Sequence, residues 1–392
     1  MPGRRCLPSL LLATLALACG DEGVTAPNPE PDVAALAVGR QHACRVTAAG
    51  TYCWGGGEDG QIGIGAAPAL APPTLLEDAP DLVSLAAGAT HTCGLDADGA
   101  AYCWGSDRDG QLGLGVEAAE HCGALPCATR PTPVTGGLRF RMLTGGDRFT
   151  CGVAEDGTGY CWGLNDLGQL GTSADQGDCV DARCSRTPIP VANVPELATM
   201  SAGTFHACAL SAAGRAYCWG WVPSPRALNP QFLPDAILKG DDLTFARLDA
   251  GGLHTCAVTT EDAAYCWGID AMGAGPTRLE SDEPVAVVGG LSFTAIASAR
   301  YTSCALNQEG SAYCWGANSN GEIGREPVGS TVRFDEPAQV SGGLRFTRLA
   351  GGSGSYCGIT AEGATACWGR GTEGQLGSGT QDRSSPVVVP GI

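Results

Sequence analysis

One tripeptide limits what this chain can become. Cys-Trp-Gly occurs seven times, with its cysteine at Cys53, Cys103, Cys161, Cys218, Cys266, Cys314 and Cys367, at spacings of 50, 58, 57, 48, 48 and 53 residues. Tyr precedes that cysteine in six copies and Ala366 in the last. A second cysteine stands ten residues upstream in six copies, and Cys44 stands nine upstream in the first. Such a period through 392 residues is the mark of a repeat protein whose units bury their faces on one another.

The residues of one unit explain themselves. In Cys93-Gly-Leu-Asp-Ala-Asp-Gly-Ala-Ala-Tyr-Cys103, the stretch Asp96 to Gly99 supplies turn chemistry, so its flanks fold back as a hairpin. That turn sets Cys93 opposite Cys103 on antiparallel strands, at a separation a disulfide can span. Tyr102 and Trp104 then project from the face opposite Cys103, because side chains alternate. Both faces carry bulk, so both must be buried, as happens when sheets stack around a ring. The predicted pairs are Cys44–Cys53, Cys93–Cys103, Cys151–Cys161, Cys208–Cys218, Cys256–Cys266, Cys304–Cys314 and Cys357–Cys367. Two further close pairs are Cys122–Cys127 and Cys179–Cys184. Each hairpin bridge is worth roughly 2.5 kcal/mol on the chain-entropy estimate.

Other landmarks share the period. Phe140, Phe245, Phe293 and Phe346 each stand eleven residues before the first cysteine of their unit, which adds a strand ahead of the hairpin. Downstream of Cys-Trp-Gly comes Gly110-Gln111-Leu112-Gly113, with equivalents at Gly60, Gly168, Gly321 and Gly374 and none in units four and five. A Pro-containing apolar segment such as Pro133-Val134 usually follows, making about four short strands per unit. Abundant Gly (59) and Pro (25) leave no room for long helices after the first 20 residues.

The pattern A-G-x-x-H-x-C, G-x-x-Y-C-W-G, G-Q-L-G resembles the repeat of the regulator of chromosome condensation family, from about residue 33 to 392. The resemblance implies an all-β fold, a closed β-propeller of seven blades with four antiparallel strands each. The units fall at 33–80, 81–137, 138–196, 197–243, 244–290, 291–343 and 344–392. The paired cysteines are an addition that suits an oxidising compartment. The first unit lacks a leading Pro-Val strand, and the chain ends in Pro386-Val387-Val388-Val389-Pro390. This last segment is expected to return to the N-terminus and pair there, closing the ring.

Residues 1–18 read as a signal peptide, with Arg4 and Arg5 ahead of an apolar run from Leu7 to Leu17 too short to span a bilayer. Two exits fit: Ala16-x-Ala18 for ordinary cleavage, or a small residue before Cys19 in an imperfect lipoprotein box. Of 20 cysteines, Cys6 leaves with the signal and 18 pair, so Cys19 is the odd one, which lipidation would explain. Residues 19–32 are a Pro-rich acidic tether. The expected location is the bacterial outer membrane or cell surface, or, without a lipid, the periplasm or medium. The membrane would be met only through the lipid on Cys19.

Net charge is −18, and −20 without Arg4 and Arg5, which argues against nucleic acid. His42, His91, His206 and His254 hold one repeat position, two before the first cysteine, where Phe149, Thr302 and Ser355 stand in the other units. Metal ligation around a central channel is one reading. A structural slot bonding backbone between blades is the other, and the tolerated Phe favours it. Cysteines nine apart lack a zinc knuckle, and acidic turns such as Glu58-Asp59-Gly60 lack a calcium-loop spacing. No nucleophile elbow, phosphate loop or paired carboxylate site is evident. No catalytic, metal or cofactor site is therefore expected.

The departures from the repeat point to binding. Two lengthened loops in consecutive units each carry a short disulfide pair, and they should stand side by side on one face. From these loops His121, Asp181 and Arg183 are candidate partner-binding residues. So is Trp221, which lies outside the repeat in the altered loop of unit four, as a partly exposed contact or as a buried anchor. The expectation is an exported, lipid-anchored, non-enzymatic, monomeric scaffold presenting a propeller face to a protein or glycan. Secreted relatives of this family that inhibit β-lactamases imply an inhibitor as the alternative. A propeller lyase or hydrolase is a weaker one. The family's nucleotide-exchange role in the nucleus does not carry over, given the export signal, disulfides and acidity.

Overall fold

The computed structural model describes residues 35–392 apart from 174–178, 180–182, 223–230, 271, 278–279 and 327–331. It contains seven sheets that stack around a ring, each from one contiguous stretch of chain, and no helix among the described residues. Blade 1 consists of Leu36–Val38, His42–Thr47, Gly50–Gly55 and Ala71–Leu75, ordered from the inside outward. Blade 2 holds Leu82–Ala87, His91–Asp96, Ala101–Ser106 and Leu125–Pro133, with Glu120–Cys122 added at its outer edge. Blades 3 to 7 occupy 140–190, 197–239, 245–286, 295–339 and 346–388. All pairings are antiparallel.

The hairpin logic holds in every blade. Cys93 is registered directly opposite Cys103, and all nine predicted pairs are bonded. Cα–Cα separations in the seven hairpin bridges are 4.0–4.1 Å, which belongs to directly facing residues at a non-hydrogen-bonded position. Nine disulfides are the mark of an oxidising compartment.

The tripeptide itself is explained by its surroundings. Its glycine lies at φ near +100° (Gly55 +104°, Gly105 +102°, Gly163 +102°). A Cβ on Gly105 would stand 2.5 Å from the Thr90 carbonyl, so only glycine lets the two strands close there. The seven tryptophans are buried and face the preceding blade, while the disulfides face the following one. Trp104, for example, packs with Cys44, Cys53 and Ile62 of blade 1. Phe140, Phe245, Phe293 and Phe346 lie on the tryptophan of their own blade at centroid distances of 5.6–6.0 Å.

The glycine loop after Cys-Trp-Gly is a clasp between blades. The indole N–H of Trp104 donates to the Gln61 carbonyl (3.0 Å), Trp162 to Gln111 (3.0 Å), Trp219 to Gln169 (3.0 Å) and Trp368 to Glu322 (3.0 Å). In the fifth unit, where that loop is missing from the sequence, buried Met272 and Gly273 (φ +61°) take its place against Trp315.

Ring closure corrects an expectation. The terminal strand Arg383–Val388 does not join the first blade; it pairs with Thr365–Gly369 as the outer strand of its own. Each unit already runs from inner to outer strand, so no edge in the first blade waits for it. The ring closes through side chains instead. Trp54 donates to the Gln375 carbonyl (2.9 Å), and Leu36, Val38 and Trp54 pack with Cys357, Leu376 and Val389.

Candidate binding face

Alternating strands put all connections at two ends of the ring. At one end lie the turns between first and second strands, such as Gly39-Arg40-Gln41, and the loops between third and fourth strands. At the other lie the hairpin turns and the links between blades. The first end is called the mouth, because seven first turns surround an open depression lined by Gly39, Gly88, Gly146, Gly203, Gly251 and Gly352. Arg40, Asp147 and Arg300 are its charged side chains. Burial raises the Asp147 carboxyl above the usual range, against the pull of Arg40, Arg148 and Arg300.

The lengthened loops stand at this end and are tied together. Arg186, two residues beyond Cys184, is buried and reaches into blade 2, where it pairs with Asp107 (3.1 Å) and Glu117 (3.3 Å). Burial pushes Asp107 up to about 6, opposed by the Ala118 N–H, Arg186 and the Leu112 N–H. Nearby, Arg148 grips Asp109 through two nitrogens at 2.5 and 2.6 Å. His121 is exposed on the Cys122–Cys127 hairpin, and Arg183 is exposed beside Cys184. Asp181 lies outside the described residues. Trp221 is neither free nor fully buried: it is half-buried, edge-on to Phe205 at 5.7 Å.

The four histidines are not in the channel. They are buried between blades and bond a hydroxyl, rather than backbone, of the next blade. His42 Nε2 meets Thr92 Oγ1 (2.7 Å), His91 meets Thr150 (2.9 Å), His206 meets Thr255 (2.8 Å) and His254 meets Ser303 (2.8 Å). Thr92 and Thr150 donate onward to the Gln61 and Gln111 carbonyls, so those imidazoles donate through Nε2. Burial holds His42 and His254 at about 3, and His91 and His206 at about 4. Phe149 fills the slot between blades 3 and 4. Another buried group links inner strands: Asp249 accepts from Ser201 Oγ (2.6 Å) and the Ser298 N–H (2.6 Å), and burial raises it to about 6.

One feature of the mouth escaped the sequence reading. In every blade the N–H after Cys-Trp-Gly donates to the carbonyl just before the histidine slot, at 2.8–3.0 Å. These bonded pairs form the rim. They are Gln41/Gly56, Thr90/Ser106, Arg148/Leu164, Phe205/Trp221, Leu253/Ile269, Tyr301/Ala317 and Gly354/Arg370. Three consecutive blades therefore carry apolar or aromatic side chains where the others carry mostly polar ones or none. Aligning the units on their histidine slot would have exposed this, since the signal is a one-residue offset.

The comparisons agree with this architecture. The profiles for the regulator of chromosome condensation (RCC1) repeat match residues 98–153 and 156–210, and, in a second form, 82–111 and 293–322. The chain is 28% identical over 201 residues to the ultraviolet-B receptor UVR8 of Arabidopsis thaliana, covering 50% of this chain and 43% of that protein. It therefore spans less than half the length of that relative. Among solved structures, human WBSCR16 superposes with a TM-score of 0.74 at 18% identity, covering 86% of this chain and 93% of the other. Saccharomyces cerevisiae Prp20p, studied for its binding to Gsp1p and histones, gives 0.71 at 21% identity, covering 86% and 85%. At such identities the structures speak for the fold alone.

Proposed function

We propose that this chain, whose repeats are those of the regulator of chromosome condensation family, is an exported binding scaffold that presents its mouth to a protein partner. The observation that carries this reading is where the units differ. Buried slots repeat around the ring, whereas the departures gather at the mouth, in two stapled loops and in the rim. Loops held rigid on a scaffold are a common place for recognition. UVR8 is a receptor by name, and its likeness over half of this chain supports a binding role.

Cys19 would carry the anchor, with 1–18 removed as a signal and 19–32 as the tether. The described chain enters at Ala35, whose carbonyl accepts from Val46 near the hairpin turn of blade 1, at the end away from the mouth.

Photo-crosslinking residues placed one at a time test the face. His121 and Arg183 probe the mouth; exposed Asp98 and Glu362 probe the hairpin turns. The expected result in intact cells is a discrete adduct from the mouth positions only. Adducts only from the hairpin-turn end, or none from any position, would overturn the reading. Mass spectrometry of the mature N-terminus should find diacylglycerol on Cys19.

A further inference from the structure

We infer that the mouth receives a protruding protein segment whose tip carries an apolar or aromatic side chain beside a carboxylate. This rests on the scaffold reading and adds the chemistry of the partner.

The apolar half of that chemistry comes from the rim. Phe205 and Trp221, Leu253 and Ile269, and Tyr301 form an arc across blades 4 to 6. The fold does not demand them, because the same backbone bond forms in blade 2 between Thr90 and Ser106. Nor are they buried like the core: four are half-buried and Tyr301 is 41% exposed. Apolar pairs at the same half-exposed slot of three neighbouring blades place an apolar stretch on the rim, and apolar patches on soluble proteins mark contact sites.

The charged half comes from the cup beside the arc. Its lining carries Arg40 and Arg300 against Asp147 as the one acid, with Arg148 turned away onto Asp109, in a chain of net charge −18. The hairpin turns at the opposite end carry Asp98, Glu155, Asp156, Glu261, Asp262 and Glu362. Arg300 also lies over the Tyr301 ring at 5.2 Å, which joins the positive cup to the apolar arc. Guanidinium groups match carboxylates in geometry as well as charge. The cup is a solvent-open depression walled largely by glycine, alanine and serine, so no bulky side chain bars the approach of a protruding tip. Acidic character in the partner follows from charge complementarity, and apolar character from the arc.

The test uses the full mature chain, immobilised, and a phage-displayed library of random disulfide-closed loop peptides as the probe. Enriched loops should carry Asp or Glu within two residues of Trp, Phe or Leu. The synthetic consensus loop should lose affinity by about ten-fold or more on Leu253→Ser, Tyr301→Ser or Arg300→Gln, the scale of an interface anchor. Its binding should weaken with salt, and its Asn or Gln version should bind weakly at any salt. Melting temperatures of the three variants should stay near that of the parent, which separates lost contact from lost fold. Enrichment of loops without acids, indifference to the three substitutions, or no enrichment would overturn the inference. Loops that respond to His121→Ala but not to Leu253→Ser would also sink it, yet leave the scaffold reading standing. That reading fails separately, through the crosslinking experiment.

Discussion

Blades 1 to 3 and blades 4 to 6 are built on the same plan and differ in the side chains they set on the inner rim of the mouth. The first set is charged and laced: Arg186 bridges Asp107 and Glu117, Arg148 grips Asp109, and a stapled hairpin lies on the edge of blade 2. The second set offers Phe205, Trp221, Leu253, Ile269 and Tyr301 with Arg300 beside them. Their buried slots are nearly interchangeable, with tryptophan on one face and a disulfide on the other. Packing between blades thus dictates the repeat. The rim is released from that demand and free to specialise.

The sharpest contrast lies two residues apart in blade 4. Trp219 is a core residue and Trp221 a rim residue. Trp219→Ala should destabilise the ring by about 3–5 kcal/mol, as deletions of large buried aromatics do. Trp221→Ala should cost well under half of that in chemical denaturation. Equal losses would mean that blade 4 needs its rim, and the contrast between slot types would dissolve.

Arg186→Met tests whether the laced half depends on its buried ion pair. Removing one partner leaves Asp107 uncompensated, with an expected loss of about 3 kcal/mol. The loss should shrink in the double variant with Asp107→Asn, measured as a double-mutant cycle.

Acid should act on both halves but spare the three seams without a histidine, those filled by Phe149, Thr302 and Ser355. Burial holds the four imidazoles below the ordinary value of 6.5, so the unfolded chain takes up protons that the folded ring refuses. Their contribution is complete above pH 6.5 and is lost progressively as pH falls toward about 3–4. Asp107 and Asp249, raised to about 6, work the other way and gain as pH falls below that point, offsetting part of the loss. At pH 5 each histidine should account for about 2 kcal/mol of lost stability. His206→Phe, which copies the Phe149 slot, should remove about that much acid sensitivity. Hydrogen exchange at pH 5 should open the seam between blades 3 and 4 later than the histidine seams.

The smallest effects belong to single rim positions. Arg148→Gln breaks a half-exposed pair with buried Asp109, for an expected loss of about 1 kcal/mol. Leu253→Ser on the opposite half should fall within about 0.5 kcal/mol of the parent. A large loss at Leu253 would show that the arc serves the fold.

The two halves also show how far the sequence could be read. The hairpin bridges were legible because a ten-residue spacing around a turn fixes which side chains face each other. The lengthened loops were legible as neighbours, since they interrupt consecutive units at one junction. His121 and Arg183 could be placed on those loops, but their role could not. The rim was overlooked because single exposed residues at a one-residue offset carry no periodic signal. The closing strand was misjudged for a different reason: which edge a terminal strand joins depends on the phase of the unit relative to the blade.

By itself the sequence determined the number of blades, the bridge within each hairpin and the burial of both sheet faces, all consequences of local alternation and a kept period. Only the tertiary structure decided what crosses from one blade to the next. The Gln carbonyls that receive indoles, the hydroxyls that meet histidines and the gathering of an apolar arc beside Arg300 all depend on stacking. The bonds between blades join residues such as Trp104 and Gln61, or His91 and Thr150, 43 and 59 positions apart, whose meeting no local spacing encodes.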